Sequence, residues 1–190
     1  MSWRAFSADG HEVRWTTWDG GHEEHLTLRW ENEAWTAMGQ VGRERIQYVL
    51  RLSPTWRVRQ FLLFRDADEP DLWLATDGHA RWGEVNGAHR PELDGCHDIE
   101  LACSPFPATL PIRRLPLEVG DGAELPVLTV DVETLAVDVA ARRYERTGER
   151  HWRRTDLAAN REEEFEVDAY GVVIDHPGRF RRRLRPTAPS

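Results

Sequence analysis

Apolar and polar residues alternate along most of this chain, and only an extended strand turns a period of two into one continuous apolar face. The alternation is clearest at Ile46, Tyr48, Leu50 and Leu52. Further predicted strands lie at 13–15, 26–30, 57–64, 71–75, 99–103, 127–132, 135–139, 165–167 and 171–174. Turn sequences such as Asp77-Gly78 separate them. Short strands at this spacing predict an all-β sandwich or barrel.

One helix is predicted, at residues 155–164, because Thr155 and Asp156 are good N-cap residues and good helix formers follow them. Residues 140–146 suit a helix by composition, but they continue the alternation that begins at Leu135, which favours a long strand. A chain of 190 residues fits one domain. We expect that domain to span 1–185 and to be followed by a disordered tail at 186–190.

The charge balance bears on the class of partner. The 25 basic residues are all arginine, and 33 acidic residues give a net charge of -8, which disfavours nucleic acid. Biased codon supply explains an arginine-only set, but guanidinium groups also suit carboxylates, phosphates and sugar hydroxyls. No apolar run reaches the ~20 residues of a membrane helix, and residues 1–10 do not resemble a secretory signal. We therefore expect no integral membrane segment and a cytoplasmic location.

Familiar catalytic and metal motifs are missing from the sequence. His22, Glu23, Glu24 and His25 could suggest a metal site, but residues three apart on a strand face opposite sides. There is no phosphate-binding glycine loop and no serine nucleophile elbow. We expect no metal, no cofactor and no catalytic residue of these kinds. Cys96 and Cys103 are predicted to be thiols outside any disulfide.

Asp98 and Glu100 form the most suggestive pair. On a strand they share one face, with Cβ atoms roughly 6.5 to 7 Å apart, close to the carboxyl separation of inverting glycosidases. Both could equally face solvent. If they face inward they need partners, since a buried unpaired carboxylate is costly. Arg59 and Arg113 are the candidates, and Arg59 shares an alternating segment with Arg57.

Several segments of the chain resemble a bacterial family named for glycolipid binding and first catalogued as a domain of unknown function. The resemblance covers nearly the whole chain. Its strongest segments are residues 93–101 (Leu-Asp-Gly-Cys-His-Asp-Ile-Glu-Leu), 104–106 (Ser-Pro-Phe) and 109–115 (Thr-Leu-Pro-Ile-Arg-Arg-Leu). The resemblance implies a mostly β fold, a many-stranded curled antiparallel sheet that forms an unclosed barrel with about one α-helix. The chain departs from the family pattern at Glu100, Ser104, Ala108, Arg143 and His176, and Ala108 lacks an amide that could bind a ligand.

Our leading hypothesis is a non-enzymatic protein that binds a small amphiphilic molecule, implied to be a glycolipid, inside the curled sheet. The residues predicted to meet its head group are Arg59, Asp98, Glu100 and Arg113. The aromatic walls are predicted to be Tyr48, Trp56, Trp82 and Tyr144, for each of which core packing is the alternative. A rival hypothesis makes Asp98 and Glu100 the acid and base of a glycoside hydrolase. A third is an interaction module that uses the arginines at 181–183. The pattern does not predict an oligomeric state.

Overall fold

One sheet of 14 strands forms the body of the protein in the computed structural model, which describes residues 3–7, 9–42, 46–66 and 68–183. The strands are β1 His11–Thr17, β2 Glu23–Glu31, β3 Ala34–Val41, β4 Ile46–Leu52, β5 Val58–Arg65, β6 Leu72–Thr76, β7 Trp82–Glu84, β8 Asp98–Leu101, β9 Gly122–Val130, β10 Val137–Arg146, β11 His151–Asp156, β12 Arg161–Val167, β13 Val173–His176 and β14 Phe180–Arg182. Their spatial order is β7-β6-β5-β4-β3-β2-β1-β14-β13-β12-β11-β10-β9-β8. Neighbouring strands are antiparallel except β8 and β9. The two end strands, β7 and β8, are not paired with each other within the described residues, so the curled sheet does not close. The predicted fold class is confirmed.

The space inside the curl is filled by the segment between β7 and β9. Besides β8 it contains two 3-10 turns, Pro91–Leu93 and Phe106–Ala108, and one short α-helix, α1, Thr109–Arg114. Leu93, Phe106 and Leu110 are fully buried in a cluster with the inward residues of β1 to β7. Ile112 is fully buried in a second cluster with β10 to β13. We call strands β1 to β7 one arm of the sheet and strands β8 to β14 the other. The segment joins the two arms, and burial of apolar surface is the main favourable term in folding.

The helix predicted at 155–164 is wrong, because this stretch is the hairpin of β11 and β12. Trp152 lies opposite Phe165 across the hairpin, and both are buried. The Asp156 carboxylate accepts hydrogen bonds from the backbone N–H groups of Ala158 and Ala159. An aspartate makes the same hydrogen bonds at a helix N-cap and in a turn, and here Asp156 makes them in the turn between β11 and β12.

Two other sequence assignments bear on the site. The stretch 140–146 lies within β10, as the alternation predicted. The helix that does form, α1, was not predicted, since six residues give too short a periodic pattern. No helix in the described ranges has the length and apolarity of a membrane span. The predicted tail at 186–190 lies outside the described residues.

Candidate functional site

A cleft of about 800 Å³ opens between the two arms of the curled sheet. Strands β9 to β12 form one wall together with the end of β8, and Val41 and Ile46 lie on the other side. Arg65, at the end of β5, donates a hydrogen bond of 2.6 Å to the carbonyl oxygen of Glu133 in the β9–β10 turn and so ties the two arms together. The charged residues that line the cleft are Glu100, Asp131, Glu133, Asp138, Arg142, Arg154, Asp156, Arg161, Glu163 and Arg179. Its larger apolar residues are Val41, Ile46, Leu101, Val130 and Val132. We call this site the polar cleft.

Glu100 is held between two guanidinium groups in the wall of the polar cleft. Arg142 donates from Nε to both carboxylate oxygens, at 3.2 and 3.0 Å. Arg154 donates from Nη1 to Oε1 at 3.1 Å. Arg142 also reaches Asp156, opposite it on β11, with Nη1 and Oδ2 3.1 Å apart. The carboxylate of Glu100 therefore has a fixed position and two opposite charges beside it.

Glu163 continues this ion network on β12. It lies opposite Arg154 across the hairpin, and the two side chains form an ion pair. Arg179 donates from Nη1 to both oxygens of Glu163, each at 3.3 Å. The His176 ring, 3.4 Å away, and the two guanidiniums hold the pKa of Glu163 far below its usual range. Glu163 therefore stays ionised and is held by its neighbours.

Asp98 and Glu100 occupy alternate positions of β8 and so share one face, as the strand period predicts, but they do not meet in one site. Asp98 is buried and forms an ion pair with Arg114 of α1. Burial raises the pKa of Asp98 to about 6 in spite of that guanidinium. Asp98 is not among the described residues that line the polar cleft. The geometry therefore does not present the two carboxyls to one substrate.

The predicted partners of this pair, Arg59 and Arg113, are wrong. Arg59 is exposed and packs against the backbone of Gly78. The Arg113 guanidinium lies 4.5 Å from the ring centre of Trp56 and 4.7 Å from that of Phe6. A helical turn points consecutive side chains in different directions, so α1 gives Arg114 rather than Arg113 to Asp98.

The four predicted aromatic residues lie in the packed interior. Tyr48, Trp56, Trp82 and Tyr144 are each at most 6% exposed. The indole N–H of Trp82 donates to the carbonyl oxygen of Cys96 at 3.0 Å. Of the eight residues predicted from the sequence, Glu100 alone is among the described residues that line the polar cleft.

The sequence interpretation missed Arg142, Arg154, Glu163 and Arg179. Their signal was a run of charges at alternate positions on neighbouring strands, which places opposite charges side by side in a sheet. Assigning 155–164 to a helix removed one of those strands and hid the cross-strand pair of Arg154 and Glu163.

A second buried polar group lies on β2. The Glu24 carboxylate accepts hydrogen bonds from the Tyr48 hydroxyl, at 2.6 Å, and from the Ser104 hydroxyl, at 2.7 Å. Its Oε2 is buried and has no hydrogen-bond partner in the described structure. Burial raises the pKa of Glu24 to about 7. Neighbouring His25 points to the opposite side, with Nε2 3.7 Å from Glu12. Within the described ranges no three His, Cys, Asp or Glu side chains are grouped to hold a metal ion.

The two cysteines are thiols outside any disulfide, as predicted, and they differ in environment. Cys96 is fully buried, and burial raises its pKa to about 11. Cys103 is partly exposed and lines the polar cleft. Because the exposed thiolate is the reactive species, we expect the native protein to react with Ellman's reagent at Cys103. Cys103→Ser should abolish the native-state reaction and Cys96→Ser should leave it intact. A native reaction that Cys96→Ser removes would contradict this assignment.

Comparisons with other proteins agree with the fold. A family model described as "Putative glycolipid-binding" matches residues 12–182. The crystal structure of a DUF1089 family protein from Pseudomonas aeruginosa is similar, with a TM-score of 0.70 and 26% sequence identity. The similarity covers 97% of this chain and 98% of that one. No curated protein matches the chain.

Proposed function

We propose that this chain, which belongs to the family described as "Putative glycolipid-binding", binds a sugar-bearing amphiphile in the polar cleft. The observation that carries this proposal is the union of a charged wall and an apolar wall in one cavity of about 800 Å³. Small-molecule sites have volumes of roughly 300 to 1,000 Å³ and combine apolar surface with a few fixed polar groups. The family description supports a glycolipid as the class of ligand.

The charged wall suits a sugar head group. Sugar hydroxyls both donate and accept hydrogen bonds, so they can bond to carboxylate oxygens and guanidinium N–H groups at once. Glu100, Arg142 and Arg154 hold one another in place before any ligand arrives. A site fixed in advance loses less conformational entropy on binding.

The apolar wall suits the lipid part of such a ligand. Leu101, Val130 and Val132 lie beside the charged network, and Val41 and Ile46 lie on the other side of the opening. Each methylene group of a chain that leaves water here contributes about 0.8 kcal/mol. Only the first part of a long chain would be enclosed, because the interior beyond the cleft is filled by the segment that carries α1.

The same geometry supports binding rather than glycoside hydrolysis. A hydrolase of the paired-carboxyl type needs one protonated carboxyl facing the substrate. In the polar cleft Glu163 has a lowered pKa and Glu100 lies between two guanidiniums. Asp98, whose pKa is raised, is buried away from the cleft. We assign Asp98, Arg113, Tyr48, Trp56, Trp82 and Tyr144 to the support of the fold and Glu100 to ligand contact.

The test fills the cleft without removing any of its charges. Ala136 is exposed and lines the cleft, so the side chain in Ala136→Trp occupies the ligand's space. We expect octyl β-D-glucoside, measured by calorimetry below its micellar concentration, to bind the natural chain and to bind Ala136→Trp at least about tenfold more weakly, a loss of about 1.4 kcal/mol. Native mass spectrometry with a lipid extract should show the same loss of retained amphiphile.

Two controls make this result specific. Ala88→Trp places the same side chain at an exposed position that is not among the described residues lining the cleft, and it should bind as the natural chain does. Free glucose and 1-octanol should each bind more weakly than the glucoside, because each meets only one wall. Equal binding by Ala136→Trp and the natural chain would refute the assignment of the ligand to this cleft.

A further inference from the structure

The guanidinium groups of the polar cleft already have anionic partners. Arg142 contacts Glu100 and Asp156, and Arg154 contacts Glu100 and Glu163. Arg179 contacts Glu163 with Nη1 and the carbonyl oxygen of Ala102 with Nη2.

The fourth guanidinium is more loosely held. Arg161, the most exposed of the four, lies 3.7 Å from Glu163. At Arg142 or Arg154, a phosphate or carboxylate entering the cleft would have to replace one of the protein carboxylates. Separating a partly buried ion pair leaves its other member uncompensated, which is costly.

Three further carboxylates stand at the rim of the cleft, on the hairpin of β9 and β10. They belong to Asp131, Glu133 and Asp138, all exposed. Backbone N–H groups of Thr134 and Glu133 bond to Asp131 and lower its pKa. Glu133 and Asp138 have no ion pair within the described ranges of the chain. The neighbouring cation, Arg65, is engaged with Asp71 and with the carbonyl oxygen of Glu133.

The charge balance of the lining is therefore negative. Six carboxylates and four guanidiniums line the polar cleft, an excess of two negative charges, and His22 and Cys103 complete the titratable set among the described lining residues. A cleft lined by one sign of excess charge concentrates ligands of the opposite sign and repels those of the same sign. The unpaired rim carboxylates can accept an ammonium group without breaking any existing ion pair.

We infer that the polar cleft selects its ligand by head-group charge, so that it binds an amino sugar more tightly than a neutral sugar and rejects a sugar that bears a carboxylate or phosphate. This inference rests on the proposed function, since it names the class of head group for the same site. Glu133 and Asp138 are the residues that set the preference, and the ion pairs of Arg142 and Arg154 are the reason that an anion binds these two guanidiniums poorly.

Three probes with the same eight-carbon chain test the inference. They are octyl β-D-glucoside, octyl 2-amino-2-deoxy-β-D-glucoside and octyl β-D-glucuronide, titrated by calorimetry below their micellar concentrations and at a slightly acidic pH that keeps the amine protonated. We expect the amino glucoside to bind roughly fivefold more tightly than the glucoside, as for one exposed charge contact at about 4 Å. The glucuronide should bind at least fivefold more weakly, and added salt should shrink both differences.

Rim variants locate the preference. In the double variant Glu133→Gln and Asp138→Asn the affinity for the amino glucoside should fall to about that for the neutral glucoside, because each amide keeps a hydrogen-bonding group but removes the negative charge. The double variant Glu31→Gln and Glu33→Gln removes two exposed carboxylates that are not among the described residues lining the cleft, so it is the matched control for net charge and should keep the full preference.

The outcomes separate this inference from the proposed function. Tight binding of the glucuronide, or a preference for the amine that survives in the double variant, overturns the charge selection and leaves amphiphile binding standing. If none of the three probes binds, the proposed function fails and the inference fails with it.

Discussion

Replacing Gly39 by alanine is expected to lower the free energy of unfolding by about 3 kcal/mol, the upper range for forcing extra volume into a packed core. Gly39 on β3 lies opposite Tyr48 on β4, and the tyrosine ring covers the glycine. A Cβ atom at Gly39 would lie 2.2 Å from Cε1 and Cζ of that ring. The ring is fully buried and its hydroxyl donates a hydrogen bond to Glu24. It cannot move aside without breaking that hydrogen bond, so the strain falls on the sheet.

Urea denaturation of the Gly39→Ala variant measures this loss. Gly148→Ala is the matched control, because its new Cβ would first meet His151 Nδ1 at 3.3 Å, on an exposed side chain that can rotate. The control should change the free energy of unfolding by less than about 1 kcal/mol. A double variant that also carries Tyr48→Leu should be less destabilised than the sum of its parts. Strict additivity, or a Gly39→Ala variant as stable as the control, would show that the close approach carries no energetic weight.

The strands were predictable because, in a sheet with one buried face, every second residue faces the core and is apolar. Ile46, Tyr48, Leu50 and Leu52 are all buried, as their alternation predicts. The long strand β10 was found in the same way, although its alanines and arginines suit a helix. The pattern failed where local chemistry serves two structures, since an aspartate that caps a helix also closes the turn after β11.

The site was less predictable because partners in a sheet are set by register and not by distance along the chain. The strand period places Glu100 on the same strand face as Asp98, and the cost of a buried unpaired carboxylate predicts an arginine partner for it. Which arginine depends on two hairpins and a parallel pairing that bring Arg142 and Arg154 to it. The buried aromatics illustrate the converse problem, because an inward tyrosine or tryptophan has the same sequence pattern whether it lines a cavity or fills one. Trp82 and Tyr144 fill the interior.

Glu24 is a buried polar residue whose burial no sequence pattern predicted. It occupies an inward position of β2 between apolar Leu26 and the turn at Gly21, within a run that reads as a polar strand start. Two hydroxyls, from Tyr48 and Ser104, compensate one of its oxygens and leave the other without a partner. A carboxylate so placed favours its protonated form in the folded protein.

The wild-type protein is accordingly expected to lose stability as pH rises from about 4.5 to about 7, and Glu24→Gln should remove the part of that loss that Glu24 causes. The folded-state pKa of Glu24 is raised from 4.5 to about 7, chiefly by burial. Across this window the folded state keeps a proton that the unfolded state has released, so the contribution is fully present below pH 4.5 and is lost as pH rises through the folded pKa. The shift corresponds to about 3 kcal/mol. Asp98, whose pKa is raised, adds a loss of stability of the same sign, and His176, whose pKa is lowered, opposes it.

The measurement that isolates Glu24 is therefore the difference in the free energy of unfolding between Glu24→Gln and the natural chain, from urea denaturation at several pH values. The glutamine can still accept both hydroxyl hydrogen bonds, and its stability relative to the natural chain should therefore increase by about 3 kcal/mol across the window. Glu31→Gln, on the exposed part of the same strand, should follow the natural chain at every pH. Parallel curves for Glu24→Gln and the natural chain would mean that Glu24 ionises in the folded protein as it does in the unfolded one.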